Sequence, residues 1–318
     1  MRRAVARDFA ALDGGRARVV VTHDARLADD PGPWTSRRIG RDDGPSRIAR
    51  LALDADFTLL IAPESTGILA ELTRQLQQAG APLLGSSTGA VAMSGDKTAL
   101  AAHLSALGIE TPRCTLIDLR DGLPPDVGYP AVLKPPDGAG SLDTYFVESP
   151  ECLPLSAREM PLAILQPYVS GRPMSVSYLV DGDGRAWPLC IGEQDVVLDG
   201  CRIEYRGGKL PVHTPIDERP MRAAVESVPG LRGFVGVDFI WDERRRRATV
   251  LEINPRPTTS IVGIVHLLPP GRLASAWIGA LEPGSPREDL ADLAAALRPK
   301  SPISFTASGT ISPAKAQR

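Results

Sequence analysis

An α/β layer followed by an α+β module is the fold class this sequence predicts, and three observations predict it. Residues 1 to about 95 alternate strand and helix patterns. From Thr111 to about Gln194 the apolar periodicity turns to that of strands. Two later apolar segments, Val235 to Trp241 and Ala248 to Ile253, each carry a carboxylate, Asp238 in one and Glu252 in the other.

The elements follow in order. Ala4–Leu12 reads as a helix, Arg18–Thr22 as a short β-branched strand, Phe57–Ala62 as a second strand, Gly67–Gln78 as a helix and Pro82–Gly85 as a third strand. Alternation of this kind argues for a parallel sheet, which ordinarily opens on a strand. This chain opens on a helix, so either the first strand is absent or the start lies upstream of residue 1. Ser94–Leu107 reads as a helix with Asp96 in its first turn and Gly108 at its end. The strand candidates that follow are Arg113–Asp118, Ala131–Lys134, Thr144–Glu148, Ala163–Val169, Ser175–Val180 and Ala186–Ile191. A helix over Asp217–Ser227 precedes the two carboxylate-bearing strands, whose connection, Arg244 to Arg247, reads as a solvated turn. Ser260–Leu268, Arg272–Leu281 and Arg287–Leu297 read as helices, and residues after about 305 have little to bury and are expected to be mobile. The expected division is 1–93, 94–170, 171–285 and 286–318.

Composition narrows the function. The formal charge is −2 and the pI about 6.1, which gives no positive field for nucleic acid or a membrane surface. Cys114, Cys152, Cys190 and Cys201 show no CxxC spacing, the four histidines form no HExxH, and no apolar run reaches the ~18 residues of a membrane span. A reduced, cytoplasmic protein is expected.

Four segments carry chemistry. A strand interior is a costly place for a carboxylate. Glu252 and Asn254 share one face of their strand by period two, and with Asp238 on a neighbouring strand they form an oxygen set suited to a hard divalent cation. Lys134 ends an apolar strand, where its charge would be only partly hydrated. The loop from Pro136 to Ser141 holds Gly138 and Gly140, which let backbone N–H groups approach phosphate oxygens. It is neither a Walker A loop nor a Rossmann fingerprint, since no Gly-Lys-Ser/Thr follows it and no helix begins there. Asp96-Lys97 opens a helix. Glu64 follows an apolar strand at the edge where open α/β sheets bind ligands, and Arg206 and Lys209 stand in what reads as a Gly-rich loop.

The order Asp96-Lys97, Lys134-Pro135, Gly138 to Ser141 and Glu252-x-Asn254-x-Arg256 resembles the ATP-grasp superfamily over roughly residues 94–268. The resemblance implies an ATP-grasp fold preceded by an α/β domain. It implies ATP and Mg²⁺, with Mn²⁺ as an alternative. Lys97 and Lys134 would meet the α- and β-phosphates, helped by Gly138, Gly140 and Ser141. Asp238, Glu252 and Asn254 would hold the metal. Gln166, Tyr168 and Val169 would form the hinge that receives adenine. Pro173 stands where many members carry a ribose-binding glutamate, which puts that contact in doubt. This Gly-x-Pro-x-Ser variant resembles the subgroup of tyramine–glutamate and pyrrolysine-pathway ligases, as do Ile61 to Leu69, Leu84 to Ser87 and Tyr205 to Pro211.

The reaction the resemblance implies is ligation of a carboxylate to an amine through an acylphosphate, as in joining glutamate to tyramine or tyrosine in methanofuran or methylofuran synthesis. Lys134 and Arg256 would be its catalytic residues. Glu64 is a candidate for a substrate amino group, and Arg206 and Lys209 for a carboxylate or phosphate. Small amino acids and amines are the expected partners. Homodimerisation, a ligase joining two amino acids and a non-catalytic nucleotide-binding regulator stay open.

Overall fold

The computed structural model describes residues 1–28, 31–40, 43–138, 142–157, 159–282 and 288–313. The N-terminal part comprises α1 (Arg2–Ala10), β1 (Val20–Asp24), β2 (Thr35–Ile39), α2 (Gly44–Leu53), α3 (Ile68–Gln78) and α4 (Thr88–Gly95). Strands β1 and β2 pair in parallel. The polar Thr-Ser-Arg-Arg-Ile of β2 shows no apolar alternation, which is why the sequence reading passes over it. Phe57–Ala62 and Pro82–Gly85 are not the full strands expected. They share one parallel bridge, Thr58 with Leu83, and Pro63 and Pro82 lack the N–H needed to extend a ladder.

The expected single helix over 94–107 is two helices. Asp96 is not in a first turn but at the cap between α4 and α5 (Lys97–Ala106), in extended conformation, accepting the N–H of Thr98 (3.0 Å) and of Ala99 (2.9 Å). That cap fixes the direction in which Lys97 leaves the chain.

Next come β3 (Thr115–Asp118), β4 (Ala131–Lys134), β5 (Tyr145–Val147), β6 (Leu162–Pro167), β7 (Arg172–Val180), β8 (Ala186–Asp199), β9 (Arg202–Leu210), α6 (Arg219–Glu226), β10 (Gly233–Asp242), β11 (Arg247–Asn254), α7 (Ile261–Leu267), α8 (Arg272–Leu281), α9 (Glu288–Leu297), β12 (Ile303–Thr306) and β13 (Ile311–Pro313). The large sheet runs β11-β10-β7-β8-β9-β5-β4-β6-β3, with β12 added on β9.

The segment Tyr205 to Pro211 is mostly strand, not the Gly-rich loop expected. Its glycines serve packing. A Cβ on Gly207 would stand 2.0 Å from the Phe305 carbonyl oxygen, and one on Gly208 would stand 2.6 Å from the Glu193 carbonyl oxygen. Glycine therefore lets β12 dock on β9. The chain after about 305, expected to have little to bury, continues into β13, which ends at Pro313. β12 pairs with both β9 and β13, and Phe305 is buried.

Side-chain alternation places apolar residues on both faces of the sheet. Val176, Tyr178, Val235, Val237 and Phe239 pack with Leu100, Leu104, Met221 and Val225. Leu179 and Phe234 turn the other way, to Val5, Ile264, Leu273 and Trp277. The N-terminal part is clamped to the sheet by polar contacts. Ser87 N–H donates to the Gly230 carbonyl (2.9 Å), Trp277 Nε1 to the Leu84 carbonyl (2.9 Å) and Arg232 Nε to the Gly85 carbonyl (2.9 Å). The run Leu84 to Ser87 thus joins two parts of the chain.

Candidate active site

A β-bulge creates the carboxylate pair. In the antiparallel register of β10 and β11, Asp238 faces Glu252 and Phe239 faces Val250, so Leu251 is one residue in excess. Val250 and Ile253 both belong to the same apolar face. Unbroken period two would have put Glu252 on that face beside Val250, inside the core. The bulge moves Glu252 and Asn254 to the face that carries Asp238.

Two facing, half-buried carboxylates repel, and their surroundings answer that. Asp238 accepts from Gln194 Nε2 at Oδ1 (2.9 Å) and from Asn254 Nδ2 at Oδ2 (3.1 Å). Burial, with Glu252 opposite, raises its pKa well above the usual carboxylate range. Burial opposes ionisation of Glu252 too, but Lys97 and Lys134 outweigh it and hold Glu252 low. Lys97 Nζ lies 3.7 Å from Glu252 Oε2 and donates to the Gly138 carbonyl at 2.6 Å. Lys134 is buried rather than partly hydrated, and burial lowers its pKa.

The donors fit a hard cation: two carboxylates and an amide converge from adjacent strands, and all are oxygen-bearing. Asn254 points its NH₂ at Asp238 here. A half-turn of the amide presents its oxygen instead. Gln194 was missed from sequence because β8 was expected to end at Ile191. Asp137 was also missed. Its Oδ2 accepts the Thr66 N–H at 2.5 Å, joining the start of the Gly138 loop to the turn after Glu64. Gly140 and Ser141 lie outside the described residues.

Glu64 and Arg256 come together although 192 positions separate them. Arg256 Nη2 donates to Glu64 Oε2 at 2.7 Å, with side-chain exposures of 14% and 8%. Gln166 is buried on β6, where its Oε1 accepts from the Cys114 thiol (3.5 Å). β6 ends at Pro167, so Tyr168 and Val169, expected within the strand, lie beyond its end. The Tyr168 N–H is taken by the Pro130 carbonyl (2.8 Å), which leaves it unavailable to a base. Lys209 pairs with Glu193 at 3.1 Å and Arg206 with Glu204 at 3.4 Å, both on strand β9. Among the described residues, neither forms an ion pair with Asp238 or Glu252, and neither stands on the expected loop.

The sequence profile of the ATP-grasp domain matches residues 94–260. The chain belongs to the ATP-grasp family. A pre-ATP-grasp domain profile matches residues 17–91. Two curated relatives are tyramine–L-glutamate ligases, from Methanocaldococcus fervens (29% identical over 214 residues) and Methanocaldococcus jannaschii (26% over 215 residues). Each match takes in 66% of this chain and about three fifths of the relative, 61% and 58% respectively. Similar solved structures include an ATP-grasp superfamily protein from Archaeoglobus fulgidus, at 24% identity and TM-score 0.56 over 86% of this chain and 75% of that one. L-amino acid ligase from Bacillus licheniformis gives TM-score 0.69 at 15% identity over 91% and 73%. D-alanine–D-alanine ligase from Bacillus anthracis, complexed with ATP, gives TM-score 0.56 at 17% identity over 88% and 95%. These likenesses show the ATP-grasp fold. Among the described residues, no single helix is long and apolar enough to cross a membrane.

Proposed function

We propose that this protein is an ATP-dependent carboxylate–amine ligase that releases ADP, and that it joins L-glutamate to tyramine or tyrosine. The bulge-made pairing of Asp238 with Glu252, with Lys97 beside it, carries the ligase reading. The substrates rest on the two tyramine–L-glutamate ligases among the relatives.

Phosphoryl transfer needs positioning and neutralisation of charge more than a protein nucleophile. Lys97 and Lys134, buried next to Glu252, neutralise the α- and β-phosphates, with the loop that begins at Gly138 beside Lys97. With Tyr168 N–H engaged, the Val169 backbone is the hinge group for adenine, alongside Gln166. Pro173 offers no acid to the ribose. Asp238, Glu252 and Asn254 would hold Mg²⁺, or Mn²⁺, which supplies charge neutralisation at the phosphates when bound. The substrate carboxylate attacks the γ-phosphorus, the bond to the bridging oxygen of ADP breaks, and an acylphosphate results. The amine then attacks the acyl carbon, phosphate departs, and the ammonium proton passes to solvent. Arg256 offers a guanidinium to the transferring phosphoryl group.

An assay of ADP release with single carboxylates and amines tests this, with mass spectrometry of the products. The expected result is ADP formation that depends on L-glutamate plus tyramine or tyrosine, with the corresponding amide as product. ADP release with no amide from any pair would overturn the ligase reading. An amide from another amino-acid pair would overturn the substrate assignment alone.

A further inference from the structure

The contact between Glu64 and Arg256 has a property that a purely structural ion pair lacks. Each partner keeps one buried polar atom without a hydrogen-bond partner among the described residues, Glu64 Oε1 and Arg256 Nε. A pair serving stability alone would satisfy those atoms, because an unpaired buried donor or acceptor is costly. The two partners also differ in freedom. The turn that bears Glu64 is tied down: Gly67 N–H donates to the Glu64 carbonyl (3.0 Å), Leu69 N–H to the Pro63 carbonyl (3.2 Å), and Asp137 holds Thr66. Arg256 precedes Pro257, which restricts its backbone, so any change of partner has to come from its long side chain. It stands two residues past Asn254, yet its guanidinium is held on Glu64 and donates as well to the Pro257 carbonyl (3.2 Å).

We propose that Glu64 holds Arg256 in reserve. The ammonium group of the amino-acid substrate replaces the guanidinium on Glu64 and releases Arg256 to the phosphoryl centre. The exchange is balanced in charge. Glu64 is too buried to be left without a cation, so Arg256 leaves only when another cation arrives. Glu64 Oε1 offers the arriving ammonium an acceptor before the old contact breaks. ATP is thereby protected from hydrolysis until a substrate amine is in place. This inference rests on the ligase reading for the role of Arg256, and Glu64 acts as a positioning residue.

The test is MgATP hydrolysis without amino acid, in wild type and Glu64→Gln. The variant should hydrolyse ATP at least severalfold faster, and its rate with L-glutamate should no longer exceed that with glutarate, which lacks the amino group. Wild type should respond to L-glutamate far more than to glutarate. In a second arm, methylammonium chloride should raise wild-type hydrolysis above a control with sodium chloride at equal ionic strength. That arm decides the matter if Glu64→Gln fails to fold. Unchanged or slower hydrolysis in a folded Glu64→Gln, with the preference for glutamate over glutarate intact, overturns the proposal. No effect of methylammonium does the same where the variant is unfolded. If L-glutamate does not stimulate wild type but the variant's hydrolysis rises, the reserve contact stands and the substrate assignment falls.

Discussion

Asp8→Ala should cost about 2–4 kcal/mol. Asp8 lies on α1 with 3% exposure, and its carboxylate accepts two backbone N–H groups at the start of α8, those of Gly271 and Ala274, each at 2.7 Å. These are orphan donors of a helix N-terminus. Alanine leaves both without an acceptor, at about 1–3 kcal/mol each. Part of that is recovered because a buried charge is removed. For a chain of this size, about 3 kcal/mol lowers the melting temperature by roughly 4–5 °C. Asp8→Asn keeps an acceptor oxygen and should cost less. The pH dependence adds a second check. Burial raises the folded pKa of Asp8 above its ordinary value, even though the two N–H contacts oppose it. The folded state then holds this proton more tightly than the unfolded one. Stability from this group falls as pH rises from the ordinary value through the raised one. Differential scanning calorimetry of wild type, Asp8→Ala and Asp8→Asn from pH 4 to 8 reads both effects. A loss below about 0.5 kcal/mol for alanine, or stability at Asp8 that increases with pH in that window, would refute the reasoning.

Two further outcomes follow from the packing and the site. Gly207→Ala should detach β12, because the new Cβ would meet the Phe305 carbonyl and glycine's φ here is +142°. Limited proteolysis should then cut near residues 300–313 well before wild type is cut, and an unchanged digestion pattern would count against the docking of β12. Lys134→Ala should raise the KM for ATP by about tenfold or more, and unchanged nucleotide affinity would remove Lys134 from the phosphate site.

Much of the frame was legible because it rests on apolar period two. β4 and α8 fall where the apolar pattern places them, and β10 and β11 nearly so. The carboxylate strands could be found for the same reason. What was not legible depends on contacts distant in sequence. Gly207 and Gly208 look like a loop until β12 is seen lying against them. Nothing local to Leu251 marks a bulge, although the bulge decides which way Glu252 points. Glu64 and Arg256 each gave a signal singly, Glu64 at a sheet edge and Arg256 beyond Asn254, but their pairing is a product of the fold. Gln194 lay beyond the expected end of its strand.

The most direct measurement is ADP formation by Glu252→Gln under saturating ATP and substrates. Glutamine keeps the shape but removes the charge that Lys97 and Lys134 face, so the melting temperature should fall while the protein still folds. The rate should fall by about 100-fold or more, roughly 2.7 kcal/mol of barrier. A folded Glu252→Gln keeping more than about a tenth of kcat, a loss under ~1.4 kcal/mol, would contradict the assignment of this carboxylate pair as the metal–nucleotide site.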